Sequence, residues 1–175
     1  MATISTAPKN LAAATAPVVR RCYDLLTVAP ACGLTDLTDG KYVDERNDHA
    51  TYAAAQERQA EYLLDQAKCY PGTRLLDIGC GYGRILEHAT RRGVQATGIT
   101  ISPPQVAAGS ARGHDVRELN YRNIFAGPHP LAPWRRSDNR TSYAALLENP
   151  WEHAFAAIVA NGSLEHFVQV HDAAA

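Results

Sequence analysis

Three glycines at alternate positions, Gly79, Gly81 and Gly83, follow the short apolar segment Leu75-Leu76-Asp77-Ile78. A glycine-rich turn between a strand and a helix lets a ligand approach the backbone closely. It also turns the unpaired N–H groups of the helix toward an anionic group, a phosphate or a carboxylate. A dinucleotide fingerprint reads G-x-G-x-x-G, and its third glycine would fall where this chain has Arg84, with Gly83 one step earlier. A dinucleotide fold also places an acid about 20 residues further on, at the end of the second strand, to hold a ribose. This chain has Thr100 there. Both departures count against a nicotinamide cofactor. Glycines after a strand can simply make a tight turn; Asp77 and the strand context favour a ligand instead. Cys80, inside the loop, reads as a small space-filling residue rather than a nucleophile.

The elements that must position this loop are legible around it. Asp48 can cap a helix in which Ala60, Leu63, Leu64 and Ala67 form the stripe of a half-buried face. Pro71-Gly72 ends it with a turn. Residues 74–78 are short, apolar and bounded by turns, which predicts a buried strand. A helix over 84–92 follows, ended by Gly93, and then a second strand over 95–100. Ser102 is the expected N-cap of the next helix, with Pro103 at its first position and an end near Arg112. A third strand is expected over 115–119. Residues 126–150, rich in Pro, Arg, Asn and Ser, read as a long loop or insertion with a short helix near 143–147. The apolar run 154–160 is expected to be a parallel strand covered on both faces. Alternation of strands and helices at this length predicts a doubly wound α/β sheet. The expected organisation is a disordered leader over 1–18, a helical cap over 19–70, and a cofactor-binding domain over 71–175 carrying the 126–150 insertion.

Composition narrows the function classes. The chain has 175 residues, a hydrophobic content of 46% and a formal net charge of -1, without the basic excess that nucleic-acid binding requires. No apolar run approaches the ~20 residues of a membrane span. Cys22, Cys32, Cys69 and Cys80 form no C-x-x-C pair, and the seven histidines are scattered; neither zinc nor a disulfide framework is expected. Reduced thiols fit a cytoplasmic protein, and no metal is expected.

The segment LLDIGCGYG at 75–83 resembles motif I of class I S-adenosylmethionine-dependent methyltransferases. GITISPPQ at 98–105, ELNYRNI at 118–124 and ANGSLEHF at 160–167 are similar to segments of cyclopropane-fatty-acid and mycolic-acid synthases. In that group a threonine and a glutamine replace the ribose-binding acid. The resemblance covers roughly 57–169, excluding the insertion. It implies a Rossmann-like, mostly parallel sheet with S-adenosyl-L-methionine as cofactor. Gly79, Gly81 and Gly83 would line the methionine and ribose portion, and Asp77 would fix the amino group. Thr100 and Gln105 would sit by the ribose hydroxyls, Asn120 and Tyr121 would flank the adenine, and Asn161 would close the site from strand four. Glu165 matches the family's active-site glutamate, and His166 reads as a packing or hydrogen-bonding residue. For Gln105 and Tyr121 the alternatives are an ordinary helix surface and a packing aromatic.

Departures from the family pattern bear on the chemistry. Residues 37–42 read LTDGKY, where the family has a Y-S-C segment whose cysteine serves a bicarbonate site. Asn120 and Asn123 stand where that group has acids. These changes favour plain methyl transfer to carbon, nitrogen or oxygen over cyclopropanation. The family sheet is ordered 3-2-1-4-5-7-6. Strands one to four and a following helix over 164–174 can be placed, so the resemblance implies a fold truncated after strand four. Its open edge would be covered by a second copy or another chain. The expected function is methyl transfer to a small-molecule or acyl-lipid acceptor; the alternative is a non-catalytic cofactor-binding or interaction module.

Overall fold

The computed structural model describes residues 11–26, 38–43, 49–124 and 154–163. Helices α1 (Leu11–Leu25) and α2 (His49–Gln66) precede strand β1 (Arg74–Ile78). Helix α3 (Arg84–Arg91), β2 (Gln95–Thr100), α4 (Pro103–Ala111) and β3 (Asp115–Glu118) follow in alternation. A 3-10 turn at Tyr121–Asn123 comes next, then β4 (Ala157–Val159). The four strands form one parallel sheet in the order β3-β2-β1-β4. The chain winds outward from β1 to β3 and then returns to the other side of β1. This is the Rossmann-like α/β arrangement expected, with the first four strands in the order the resemblance implies.

Central position explains the composition of β1. It pairs with β2 from Arg74↔Gln95 to Ile78↔Ile99, and with β4 from Leu75↔Ala157 to Asp77↔Val159. Leu75 points into a core with Ala60 and Leu64 of α2, Ile85 and Ala89 of α3, and Ala157 and Val159. The next residue, Leu76, points to the opposite face and packs with Ile99, Leu119 and Ile124. A strand buried on both faces cannot alternate apolar with polar, and so reads as a continuous run. The stripe expected on α2 meets this core: Ala60 and Leu64 are fully buried, with Leu63 and Ala67 packed at its margin. Each fully buried leucine contributes about 1.5–3 kcal/mol.

Three expectations need correction. Helix α1 begins at Leu11, inside the segment expected to be a disordered leader. Its Leu-Ala-Ala-Ala opening is strongly helix-forming, although Pro17 lies inside the helix. Ser102 stands at the N-cap of α4 in extended conformation, but its side chain makes no capping bond. Pro103 and Pro104 carry no N–H, and the Gln105 amide bonds to the Ser102 carbonyl at 3.1 Å, so the hydroxyl has little left to cap. Finally, β4 is not covered on both faces among the described residues, since Ile158 is 61% exposed. Its register partner is Leu76, which places it on the face away from α2 and α3. The expected helices at 143–147 and 164–174, the insertion 126–150 and Asp48 lie outside the described residues.

Candidate cofactor site

The carboxyl ends of parallel strands, at the point where strand order reverses, form the usual ligand crevice of an open α/β sheet. Here that point lies between β1 and β4. Asp77, 1% exposed, stands near the end of β1. Gly79, Gly81 and Gly83 follow it with φ of 77°, 55° and 89°, the left-handed region that L side chains rarely enter. The Gly79 and Cys80 amides donate to the Ile99 carbonyl of β2 at 2.8 and 3.1 Å, and the Gly83 amide returns to the Cys80 carbonyl at 2.9 Å. The turn is therefore tied to the sheet by its own backbone, independently of any ligand.

Two approaches explain why the sequence needs glycine nearby. A Cβ at Gly79 would stand 2.6 Å from the Ser163 Cβ, because the turn after β4 folds onto this loop and the Ser163 hydroxyl donates to the Ile78 carbonyl at 2.8 Å. A Cβ at Gly98, in the middle of β2, would stand 2.6 Å from the Cys80 sulfur and 2.8 Å from Leu86. Cys80 thus fills space between β2, α3 and β3, packed with Leu86 and Val116, as expected. Gly81 differs: a Cβ there would meet nothing within 4 Å among the described residues. Its bare backbone faces open space, the cradle that a ligand approaching the loop requires. Gly83 is the N-cap of α3 and supplies no side-chain cap.

The other expected residues lie at the same edge. Thr100 ends β2 and donates its hydroxyl to the Gln105 amide oxygen at 2.6 Å; both are buried. The Thr100 hydroxyl also accepts from the Ser102 amide at 3.2 Å. Gln105 is thus not an ordinary surface residue of α4. Asn120 and Tyr121 follow β3, and the Tyr121 ring packs on the cluster of Leu76, Ile99, Leu119 and Ile124. Asn161, after β4, accepts from the Gln59 amide at 3.3 Å, which links α2 to the end of β4. Glu165 and His166 lie outside the described residues.

Sequence reasoning missed two groups. One is Asp24 of α1, which accepts the Ser102 hydroxyl at 2.7 Å; 78 residues separate the partners, and no local pattern announces the contact. The other is a polar seam beneath the site. Glu57, Glu61 and Asp65 recur every four residues on α2, and Arg84, His88 and Arg92 recur every four on and just after α3, so each set forms one face. His88, buried, has Nε2 2.9 Å from Glu57 and its other ring nitrogen against Glu61. Arg84 pairs with Glu57, and Arg92 pairs with Glu61 and, at 2.6 Å, with Asp65. Burial pushes the Glu61 carboxyl up, but hydrogen bonds from His88 and Arg92 and their charge outweigh it and hold it below the usual range. Burial likewise opposes the Arg92 charge, and Glu61 and Asp65 more than offset it. The spacing was the signal that could have revealed this seam. No group of metal-ligating side chains occurs among the described residues, and no helix there is long and apolar enough to cross a membrane.

Comparison with known proteins matches residues 42–125 to the family described as mycolic acid cyclopropane synthetase. A "Probable fatty acid methyltransferase" of Mycobacterium tuberculosis is 35% identical over 86 residues, covering 45% of this chain and 20% of that protein. Geranyl diphosphate 2-C-methyltransferase of Streptomyces lasalocidi is 30% identical over 141 residues, covering 79% of this chain and 41% of that protein. This chain therefore spans less than half the length of these curated relatives. Among solved structures, the (4+2)-cyclase SpnF superposes with a TM-score of 0.51 at 29% identity, over 64% of this chain and 44% of that one. The glycine turn, the strand order and the matched span agree: over residues 42–125 the chain resembles the class I S-adenosylmethionine-dependent methyltransferases of the cyclopropane and mycolic acid synthase family.

Proposed function

We propose that the protein transfers the methyl group of S-adenosylmethionine to a small-molecule or acyl-lipid acceptor. The observation that carries the reading is the left-handed glycine turn with open space at Gly81, at the strand-order reversal. When bound, the cofactor supplies a methyl group on a sulfonium, already a strong electrophile. The chain's own task is then alignment and exclusion of water more than acid–base work. Asp77 would hold the amino group, and Gly79, Gly81 and Gly83 the methionine and ribose portion. Thr100 and Gln105 would stand by the ribose, Asn120 and Tyr121 by the adenine, and Asn161 at the β4 side. Glu165 would act at the acceptor, as catalytic residue.

The acceptor class draws on relatives whose names give a fatty acid and geranyl diphosphate, molecules that share an apolar chain. Helices α1 and α2 belong to the helical cap in this reading, and the cofactor domain with its insertion at 126–150 follows from residue 71. A second copy or another chain would cover the β4 edge of the sheet. A cytoplasmic setting suits Cys22, Cys69 and Cys80 as free thiols.

The alternative is a cofactor-binding module that transfers no methyl group. It draws support from the likeness to a protein named as a cyclase, since a fold does not dictate its chemistry. Incubation with methyl-labelled cofactor, a lipid extract and a pool of small amines separates the two. Label passing into either acceptor pool supports transfer. A chain that binds S-adenosylhomocysteine yet labels neither pool favours the alternative.

A further inference from the structure

Helix α1 lies across the carboxyl ends of three successive strands. Arg20 pairs with Glu118, the last residue of β3, at 3.1 Å. Asp24 accepts the hydroxyl of Ser102, fully buried just beyond β2, at 2.7 Å. Leu26, immediately after the helix, accepts at its carbonyl the hydroxyl of Tyr82 in the glycine turn after β1, at 3.4 Å. These three tethers bring one element of the N-terminal segment onto the edge where the cofactor is read to bind.

The end of β2 lacks the acid that a ribose-binding fold places there, and the structure accounts for what its replacements can offer. A hydroxyl has one donor and two acceptor sites. Thr100 has given its donor to Gln105, and one of its lone pairs takes the Ser102 amide. Gln105 accepts from Thr100 at its oxygen, which leaves its amide NH2 to act as a donor. A vicinal diol also needs acceptors, and this buried pair offers few. Asp24 supplies them: one oxygen is engaged by Ser102 and the other faces Arg20 at 3.8 Å, with the side chain 34% exposed. The Ser102 hydroxyl, released from capping by the two prolines, is the hook that fixes the carboxylate there.

We propose that Asp24, delivered by α1 to the end of β2, is the carboxylate that accepts the ribose hydroxyls of S-adenosylmethionine. The inference rests on the cofactor reading above and assigns a ribose-binding residue to an element outside the α/β alternation. It also makes α1 a part of the binding site, so that docking of the N-terminal helix and cofactor affinity are coupled.

The test measures calorimetric affinities of the full chain for S-adenosylhomocysteine and for its 2′,3′-dideoxyribose analogue. Asp24→Asn keeps an oxygen for Ser102 and removes the charge; Asp24→Ala removes both. Both variants are checked for folding by far-UV circular dichroism. Charge-assisted hydrogen bonds to a diol predict that Asp24→Asn weakens S-adenosylhomocysteine about tenfold, Asp24→Ala at least as much, and that affinity for the analogue stays within about twofold. Equal losses for both ligands would reduce Asp24 to a docking residue and overturn the inference, as would no loss for either. If the unsubstituted chain binds neither ligand, the cofactor reading itself falls and takes this one with it.

Discussion

Substituting Gly81 by alanine separates the fold from the site. The residue has φ 55°, and an added Cβ would meet no atom of the described residues within 4 Å. The cost to folding is therefore confined to holding an L-residue in the left-handed region, about 1–2 kcal/mol. For a chain of this size that lowers the melting temperature by roughly 2–8 °C. The methyl group stands, however, in the space where the ligand is read to approach the backbone. Displacing a close backbone contact removes at least about 1.4 kcal/mol, a tenfold loss of affinity. Gly79→Ala is the comparator: its Cβ would lie 2.6 Å from the Ser163 Cβ at φ 77°. It should lose stability as well, by about 1–3 kcal/mol beyond the backbone strain. The assay pairs thermal melting with calorimetric titration of S-adenosylhomocysteine. The prediction is a Gly81→Ala protein that melts roughly 2–8 °C lower, less of a loss than Gly79→Ala, and binds at least tenfold more weakly. Binding within twofold of the unsubstituted chain would refute the placement of the ligand against this turn.

Gly98→Ala is expected to destabilise by about 1–3 kcal/mol, because the new methyl meets Cys80 and Leu86 at 2.6–2.8 Å; a melt of the variant checks it. The folded Glu61 carboxyl lies below its reference value of 4.5, so its contribution to stability is present above that pH and is lost as pH falls through the folded value. Glu61→Gln should therefore lower the melting temperature at neutral pH, with the difference closing below pH 4.5. Its side chain is 44% exposed, which limits the effect to about 1 kcal/mol. A difference that persists unchanged into acid would contradict the ionic origin of the seam.

The elements nearest the glycine turn were the most legible. Pro71-Gly72 and Gly79 bracket an apolar run of strand length, and β1 occupies the span those signals predict; β2 likewise matches the expected 95–100. At β4 the apolar run 154–160 marked the strand but overstated its ends, since burial and pairing confine it to Ala157–Val159. The same run also hid the exposure of Ile158, because hydropathy alone does not say which face a neighbouring element covers. The ion seam between α2 and α3 was written at four-residue spacing in both helices and is readable once they are known to be adjacent. The Asp24–Ser102 contact was not readable. It depends on how α1 lies across the sheet edge, which no periodicity encodes, and on two prolines relieving Ser102 of its capping role.

The glycine turn is read to hold S-adenosylmethionine rather than a dinucleotide. Calorimetric titration with S-adenosylhomocysteine and, separately, with NAD decides between the two. Saturable heat is expected from S-adenosylhomocysteine below millimolar concentration and none from NAD, given Arg84 and Thr100 where a dinucleotide fold has a glycine and an acid. No binding of S-adenosylhomocysteine at millimolar concentration, or tighter binding of NAD, would contradict this reading.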